Sequence, residues 1–235
     1  MAQSVGNAKN ILVGASPLFL STVDINDADY IANAEPGAGL AAGVGNVAVP
    51  AYATGVSYTT TLNNVDQVAG KFGYRNVGFT NNGLQITYNP TYDSVTVDQL
   101  LDTAKLFKSA MEVMIATEMS EGTLENIVTV FGQNASSIST TGTGASKVDT
   151  LNLEAGSLGA APTERQLIAV GQAPTAASTA SERVYYARRV LSVQQSQFSL
   201  ARTTPTTFPV TFRLLPDANY SGSEYGKIID RVLTV

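Results

Sequence analysis

Cysteine, histidine and tryptophan are all absent from this chain of 235 residues. Without cysteine it has neither a disulfide framework nor thiol chemistry. Without histidine, the usual zinc sites and the Ser-His-Asp and Cys-His catalytic arrangements are excluded. A pair of carboxylates, Asp93 with Asp98 or Glu118 with Glu121, is the remaining glycosidase-like alternative. Sugar-binding clefts depend on aromatic rings, and tryptophan is missing, so we do not expect an enzyme. We also expect no metal site and no cofactor.

Charged residues are also scarce, at 14% of the chain against roughly 25% in typical soluble domains. Serine, threonine, asparagine and glycine take their place, which gives a polar surface without strong mutual repulsion. This composition is typical of a protein that packs against copies of itself, and also of secreted β proteins. The net charge of −5 argues against a protein that grips nucleic-acid phosphates.

The few charges are unevenly distributed along the chain. Residues 76–131 carry two basic and seven acidic side chains, whereas residues 132–235 carry nine basic and seven acidic ones. A patch of each sign on one subunit would help copies to dock head to tail. The alternative interpretation is an ordinary solvated surface.

Long apolar runs are missing as well. The run near the N-terminus, Ile11 to Leu20, is interrupted by Gly14 and Pro17, and only Lys9 precedes it. It is therefore a poor signal peptide. No run approaches the roughly 20 residues that a membrane span needs. We expect no membrane span and synthesis in a cytosol.

Short segments with period-two alternation dominate what is present. They predict strands at Ile11 to Thr22, Ala51 to Leu62, Arg165 to Val170, Val184 to Leu200, Thr206 to Leu215 and around Ile228 near the C-terminus. Residues 133–163 and 171–182 are rich in small polar residues and are predicted to be loop insertions, the first with a short strand near Leu151. No long repeat is visible, and residues 1–235 are predicted to form a single domain.

The clearest periodicity lies between Gly78 and Gly132. The segment Thr80-Asn81-Asn82-Gly83 is predicted to be a hairpin turn, because Asn-Gly supplies two positions that tolerate positive φ. Asn89-Pro90 is predicted to end the following strand. A further strand is predicted around Val95, and residues 100–109 fit either a helical turn or a loop.

One short helix is predicted from Thr123 to Phe131. Thr123 is a plausible N-cap, Glu125 lies in the first turn, and Gly132 ends the helix. The sequence therefore predicts a mainly β fold with one short flanking α-helix. The residues predicted to form the core and the buried helix face are Leu84, Ile86, Val95, Val97, Leu124, Ile127, Val128 and Phe131.

A glycine- and alanine-rich segment with almost no charge covers residues 33–50. Loops of this length are uncommon in compact domains unless they have a function. The apolar residues of this loop would also be unfavourably exposed to water. The two interpretations are an arm that orders against a neighbouring subunit and a surface loop. The residues predicted to make inter-subunit contacts are Pro36, Gly37, Leu40, Val44, Val47 and Val49.

Three stretches together resemble the major tail (tail tube) proteins of long, non-contractile-tailed bacteriophages. They are Asn7 to Ala15, then Gly78 to Tyr88 followed by Val95 to Gln99, then Thr117 to Ile127. Each motif is short, and it is their order and spacing that carry the resemblance. They cover roughly a third of the chain, and residues 30–75 and 133–200 have no counterpart.

The resemblance implies a β-sandwich or partly closed barrel that assembles into stacked hexameric rings. The rings would form a hollow tube in the virion, with a continuous inner β-barrel through which DNA passes without specific binding. Tape-measure, tail terminator and tail-tip proteins would be its partners. Alternatives are another virion component, such as a completion ring, a contractile-tail tube or a decoration protein, and more remotely a secreted adhesive β-sandwich.

A tube wall that gripped DNA would stall it, whereas carboxylates and short polar groups repel phosphate. The polar faces of the central strands therefore supply the predicted lumen residues, although the same face would also suit the outside of a tube. These residues are Gln85, Thr87, Ser94, Thr96, Asp98, Glu112 and Glu118.

Overall fold

The computed structural model describes residues 16–21, 24–25, 35–36, 46–47, 74–99, 102–155, 159, 161–173, 181–194, 196–200 and 202–232. Within them the protein is mainly β, with antiparallel pairing throughout its main sheet and one short α-helix. The predicted fold class is confirmed at this level. The strands in these ranges do not form a closed barrel.

Twelve strands lie in the described ranges. In chain order they are β1 (Leu18–Ser21), β2 (Glu35–Pro36), β3 (Asn46–Val47), β4 (Tyr74–Asn76), β5 (Thr80–Thr96), β6 (Thr103–Met119), β7 (Ile138–Thr141), β8 (Val148–Leu151), β9 (Arg165–Gln172), β10 (Ser181–Ser192), β11 (Phe208–Leu214) and β12 (Gly226–Val232). Helix α1 spans Leu124–Val130, and short 3-10 turns lie at Ala135–Ser137 and Gly144–Ser146. The helix is far too short to cross a bilayer, and no other described helix is long and apolar enough to do so.

The main sheet has the order β4-β1-β9-β10-β11-β6-β5, and β12 also pairs with β10. Strand β12 pairs with Ser181–Ala187 of β10, while β11 pairs with the end of the same strand, at Val190 to Ser192. β11 and β12 therefore lie end to end along one edge of β10. The pairing of β10 with β9 is irregular between Ala187 and Val190, where this change of partner occurs.

The hydrophobic core contains residues from both halves of the main sheet. Leu18 and Leu167 come from β1 and β9, whereas Ile115 and Phe212 come from β6 and β11, and all belong to one buried cluster. The sheet must therefore bend so that its two halves face each other across the core. The strands predicted at Arg165 and at Thr206 to Leu215 are confirmed, as is the C-terminal strand.

Two predicted strands are shorter than expected. The N-terminal strand comprises only Leu18–Ser21 among the described residues, directly after Pro17, and it is paired on both sides rather than at an edge. The strand predicted to reach Leu200 ends at Ser192. There the Ser192 hydroxyl donates to the Val130 carbonyl, 3.1 Å away. The predicted strand from Ala51 to Leu62 lies outside the described residues.

The predicted hairpin turn at Asn82-Gly83 is wrong, although its backbone geometry was foreseen. Both residues have positive φ, at 60° and 67°. They lie inside β5, where Asn81 faces Glu118 and Gln85 faces Ala116. β5 thus carries two extra residues in a bulge that the Asn-Gly pair accommodates.

The predicted break at Pro90 is also wrong, because β5 continues through it opposite Met111. Proline cannot donate a ladder hydrogen bond, but it is tolerated on an edge strand. Among the described residues β5 pairs with β6 alone, so it is such an edge. The segment from Thr103 to Ser109, predicted as a helical turn or a loop, belongs to β6.

The helix prediction is confirmed at its ends and partly wrong on its face. The Thr123 hydroxyl accepts a hydrogen bond from the amide of Asn126, 3.3 Å away, and Gly132 follows the helix with a φ of 66°. The predicted Val128 is buried, and Leu124 and Ile127 are half-buried. Phe131 is 43% exposed, whereas the helix buries Asn126, Thr129 and Val130, which were not predicted.

Three predicted core residues on the β5 side are exposed instead. Ile86 is 44% exposed, and Val95 and Val97 are also exposed. Only Leu84, nearest the Asn-Gly bulge, packs against the core. The reason is that β5 extends beyond the part of the sheet that is covered by a second layer.

Three of the predicted loop segments include strand residues. Residues 133–163 include a small hairpin of β7 and β8, so the strand predicted near Leu151 is confirmed, and its partner was missed. In the glycine-rich segment Pro36 lies opposite Val47 where β2 pairs with β3 in parallel. The other predicted contact residues, Gly37, Leu40, Val44 and Val49, lie outside the described residues. In 171–182, the first two residues belong to β9 and the last two to β10.

Candidate assembly surface

Four of the predicted lumen residues lie on one face of the sheet. Gln85 faces Ala116 and Thr87 faces Met114 across the β5–β6 pair. Directly paired residues project to the same side of a sheet, and the sides alternate along each strand. The buried residues Val113, Ile115, Thr117 and Met119 are the odd-numbered ones on β6. The even-numbered Glu112 and Glu118 therefore lie on the outward face with Gln85 and Thr87, which we term the polar face.

The polar face is less acidic than predicted. Arg213 of β11, which pairs with Met114, lies on it, and its Nη1 is 3.7 Å from Oε1 of Glu112. Glu118 accepts a hydrogen bond from Nδ2 of Asn81 at 3.1 Å. Two carboxylates and one guanidinium leave this face polar with little net charge. An exposed ion pair of this kind contributes at most about 1 kcal/mol to stability.

The other three predicted lumen residues do not join this set. The two further irregularities in the β5–β6 pairing place the extra residues on β6, so alternation along β5 is unbroken from Gln85 to Thr96. Ser94 and Thr96 consequently share the side of Ile86, opposite Gln85. Asp98 lies in the turn after β5. The lumen role of all seven residues stays a prediction.

The outer half of the β5–β6 pair is exposed on both faces. We call this part, Thr91–Thr96 paired with Thr103–Ala110, the ribbon, and every residue in it is exposed. Its apolar side chains include Tyr92 at 58% exposure and Leu106 at 63%. A lone two-stranded hairpin is marginally stable in water, and clustered exposed apolar residues mark interaction sites. The ribbon is therefore the first candidate for a contact with another molecule.

The inner end of β5 is held by helix α1. Asn126 of α1 donates from Nδ2 to the carbonyls of Val77 and Glu121, at 2.8 and 2.9 Å. The Glu121 carboxylate in turn accepts from the amide of Phe79 at 3.0 Å. These bonds join the residues just before β5 to the start of the helix. The Glu121 carboxylate is thereby tied to the residues that precede β5.

A half-buried arginine completes this anchor, and sequence reasoning missed it. Arg75 of β4 donates to Oδ1 of Asn126 at 2.5 Å, and to the Glu125 carbonyl and the Thr129 hydroxyl at 2.9 and 2.8 Å. Burial lowers the pKa of Arg75 to about 10, and the nearby charge of Arg165 acts in the same direction. The polar side of α1 faces inward because it binds this guanidinium. About fifty residues separate these partners in sequence, so no local pattern indicates their contact.

No metal centre is formed within the described ranges, where no three histidine, cysteine, aspartate or glutamate side chains group together. Neither a scan against protein-family models nor a search of curated proteins finds a match for this chain. We therefore infer the function from the polar face, the ribbon and the contacts between α1 and the start of β5.

Proposed function

We propose that this chain is a structural virion protein that self-assembles into stacked rings, forming the hollow tail tube of a long-tailed bacteriophage. The observation that carries the proposal is the ribbon. Strands β5 and β6 are each 17 residues long, yet only the inner half of β6, together with Leu84 of β5, packs on the core of the subunit. The outer halves of both strands do not contact the core, and their length is explained if neighbouring subunits cover them.

The resemblance supplies the details that the geometry does not. Under this proposal the rings are hexamers, the location is the phage tail, and the partners are tape-measure, tail terminator and tail-tip proteins. The role is non-enzymatic and uses no cofactor. The alternative within the same class is another virion component, such as a completion ring or a decoration protein.

The polar face suits the wall of a DNA channel. Beside its amide, hydroxyl and carboxylate groups lies Arg213, which pairs with Glu112, and Lys105, opposite Val95, lies on the same side in the ribbon. Tight binding of DNA requires several lysine or arginine contacts with phosphates. A face whose inner cation is paired with a carboxylate, and which has one further lysine at its outer end, offers DNA few phosphate contacts.

Electron microscopy of the purified protein tests the proposal. We expect rings or hollow tubes at high concentration in negative stain. The double variant Tyr92→Lys with Leu106→Lys adds two charges to one face of the ribbon, and it should fold normally but raise the concentration needed for assembly at least tenfold. The matched control, Val148→Lys with Leu153→Lys, adds the same charges to exposed apolar sites of the β7–β8 region. A strictly monomeric wild-type protein would exclude the tube.

Reversal of charge on the polar face tests the channel. In assembled tubes, Glu112→Lys with Glu118→Lys should increase retention of double-stranded DNA at low salt, because lysine adds phosphate contacts that salt weakens. Glu112→Gln with Glu118→Gln is the control for loss of the carboxylates alone. If tubes of the lysine variant retain no more DNA than wild-type tubes, these residues do not line the channel.

A further inference from the structure

The dipeptide Asn-Gly occurs once in the chain, at Asn82-Gly83. The backbone nitrogen of the residue that follows an asparagine can attack the side-chain amide carbon, and a side chain on that following residue hinders the attack. Glycine has no side chain, so it hinders the attack least. This reaction makes asparagine one of the thermolabile residues of proteins.

The fold leaves this dipeptide open on β5. Both of its residues are exposed to solvent. On either side of them, Asn81 pairs with Glu118 and Gln85 pairs with Ala116, so the dipeptide belongs to the bulge and not to the regular ladder. Among the described residues β5 is also an edge strand. Water therefore reaches the dipeptide, and no ladder partner on β6 stands opposite it.

The bulge also leaves room for the backbone motion that the attack requires. The peptide plane between the two residues must turn so that the Gly83 nitrogen meets Cγ of Asn82. A Cβ added to Gly83 would meet no atom within 4 Å, which shows open space around this backbone. The Thr117 hydroxyl donates to the Gly83 carbonyl at 2.9 Å, and that bond does not engage the Gly83 nitrogen.

We propose that Asn82 is a site of self-modification, where the asparagine converts to aspartate and isoaspartate through a cyclic succinimide. The Gly83 nitrogen loses its proton and bonds to Cγ of Asn82, and the Cγ–Nδ2 bond breaks to release ammonia. Water then opens the ring. Opening at Cγ gives aspartate, whereas opening at the main-chain carbonyl gives isoaspartate, in which the chain continues through the former side chain. Either product adds one negative charge to the net charge of −5.

Nearby asparagines lack one or more of these features. Asn81 is paired in the ladder, its Nδ2 donates to Glu118 at 3.1 Å, and the residue after it has a side chain. Asn126 is buried, and its Nδ2 donates to two main-chain carbonyls. Asn89 precedes Pro90, whose nitrogen has no proton to lose. The reaction should therefore be specific to Asn82 among these four residues.

Incubation of the purified full chain at pH 8 tests the proposal. Anion exchange separates the product by its added charge, and tandem mass spectrometry of a digest measures the modification at each asparagine. The same measurement on the chain unfolded in guanidinium chloride gives the rate that the sequence alone allows. The ratio of the two rates isolates the effect of the fold.

In the folded chain we expect Asn82 to react at least tenfold faster than Asn81 and Asn126. Folding should slow the reaction at Asn82 by less than tenfold, and at Asn126 by at least a hundredfold. Protection of Asn82 as strong as that of Asn126 would overturn the proposal. The rate at Asn82 should also be higher at pH 8 than at pH 6, because the attacking nitrogen must lose its proton. A rate that falls between these values would contradict the cyclic route.

Two variants test the roles of the reacting atoms. Gly83→Ala should slow the modification at least tenfold, because its methyl group hinders ring closure. Asn82→Gln should do so as well, because its longer side chain would form a larger ring. Gly222→Ala is the matched control for backbone strain, since Gly222 also has a positive φ and open space around its Cβ position, and it should leave the rate at Asn82 unchanged. Wild-type rates in both test variants would overturn the proposal.

Discussion

The inner and outer halves of the β5–β6 pair share one run of antiparallel pairing, yet they lie in opposite environments. In the inner half, Ile115 and Met119 are buried against β11 and the rest of the core. In the outer half, Leu106 and Tyr92 are more than half exposed. Because pairing, chain direction and residue types are similar, the difference lies in whether a second layer covers the strands. The inner half stabilises the subunit, and the ribbon is available to other molecules.

The largest expected contrast is between truncations on the same strand. Ile115→Ala should lower the free energy of unfolding by about 3 kcal/mol, since it leaves a cavity in a packed core. Leu106→Ala should change it by less than about 0.5 kcal/mol, because the side chain is already in water. Urea denaturation of the two variants measures both values. Equal destabilisation would show that the ribbon is covered within a single subunit.

The next effect concerns the anchor of the inner half. Arg75→Met should destabilise the protein by about 2 kcal/mol, because it leaves Asn126 and Thr129 buried with unmet hydrogen-bonding capacity. The matched control is Arg213→Met, which removes an exposed guanidinium from the polar face and should cost less than about 1 kcal/mol. Thermal and urea unfolding provide the comparison. A loss no larger for Arg75→Met than for Arg213→Met would contradict the anchoring role.

A smaller effect is expected at the bulge that opens β5. Gly83→Ala should destabilise by about 1 kcal/mol through its positive φ alone, since an added Cβ meets no atom within 4 Å. At Gly226 an added Cβ would lie 1.9 Å from the Tyr186 carbonyl oxygen. Gly226→Ala should therefore be clearly the more damaging of the two. Denaturation midpoints of the pair distinguish strain of the backbone from steric overlap.

The smallest expected effect depends on pH. The paired Arg183 guanidinium lowers the pKa of Asp230, whose Oδ1 lies 2.6 Å from Nε of the arginine. A carboxyl whose pKa is lower in the folded state stabilises the fold above its unfolded pKa, near 4, and loses that contribution as pH falls through the folded value. Asp230→Asn should slightly reduce stability at pH 7 and make it less sensitive to acid. An unchanged acid profile would rule out this pair as a contributor.

The sequence predicted correctly those features that depend only on residues close together in the chain. The Thr123 cap and the positive φ of Asn82 and Gly83 both depend on nearby residues. The predicted hairpin failed because pairing with β6 continues on both sides of the Asn-Gly bulge. Pro90 was misread because its effect depends on whether a strand lies at an edge, and local sequence does not reveal that.

The candidate surface was predictable only in part for the same reason. Alternation grouped Gln85 with Thr87 and Glu112 with Glu118, and strand pairing places these four together. Ser94 and Thr96 were grouped with Gln85 although they lie on the opposite face, because the break predicted at Pro90 disconnected their alternation from that of Gln85. The burial of Asn126 depends on Arg75, which is distant in sequence, so the helix periodicity alone gave an incomplete buried face.

The division of one edge of β10 between β11 and β12 has a consequence for local opening of the subunit. β11 has strands on both sides, whereas β12 is paired with β10 alone among the described residues. Detachment of β12 would break a single ladder and leave the β11–β6 pairing intact. Amide protons of β12 should accordingly exchange with solvent through a lower-energy opening than those of β11. β12 can thus separate before β11, while the rest of the sheet stays folded.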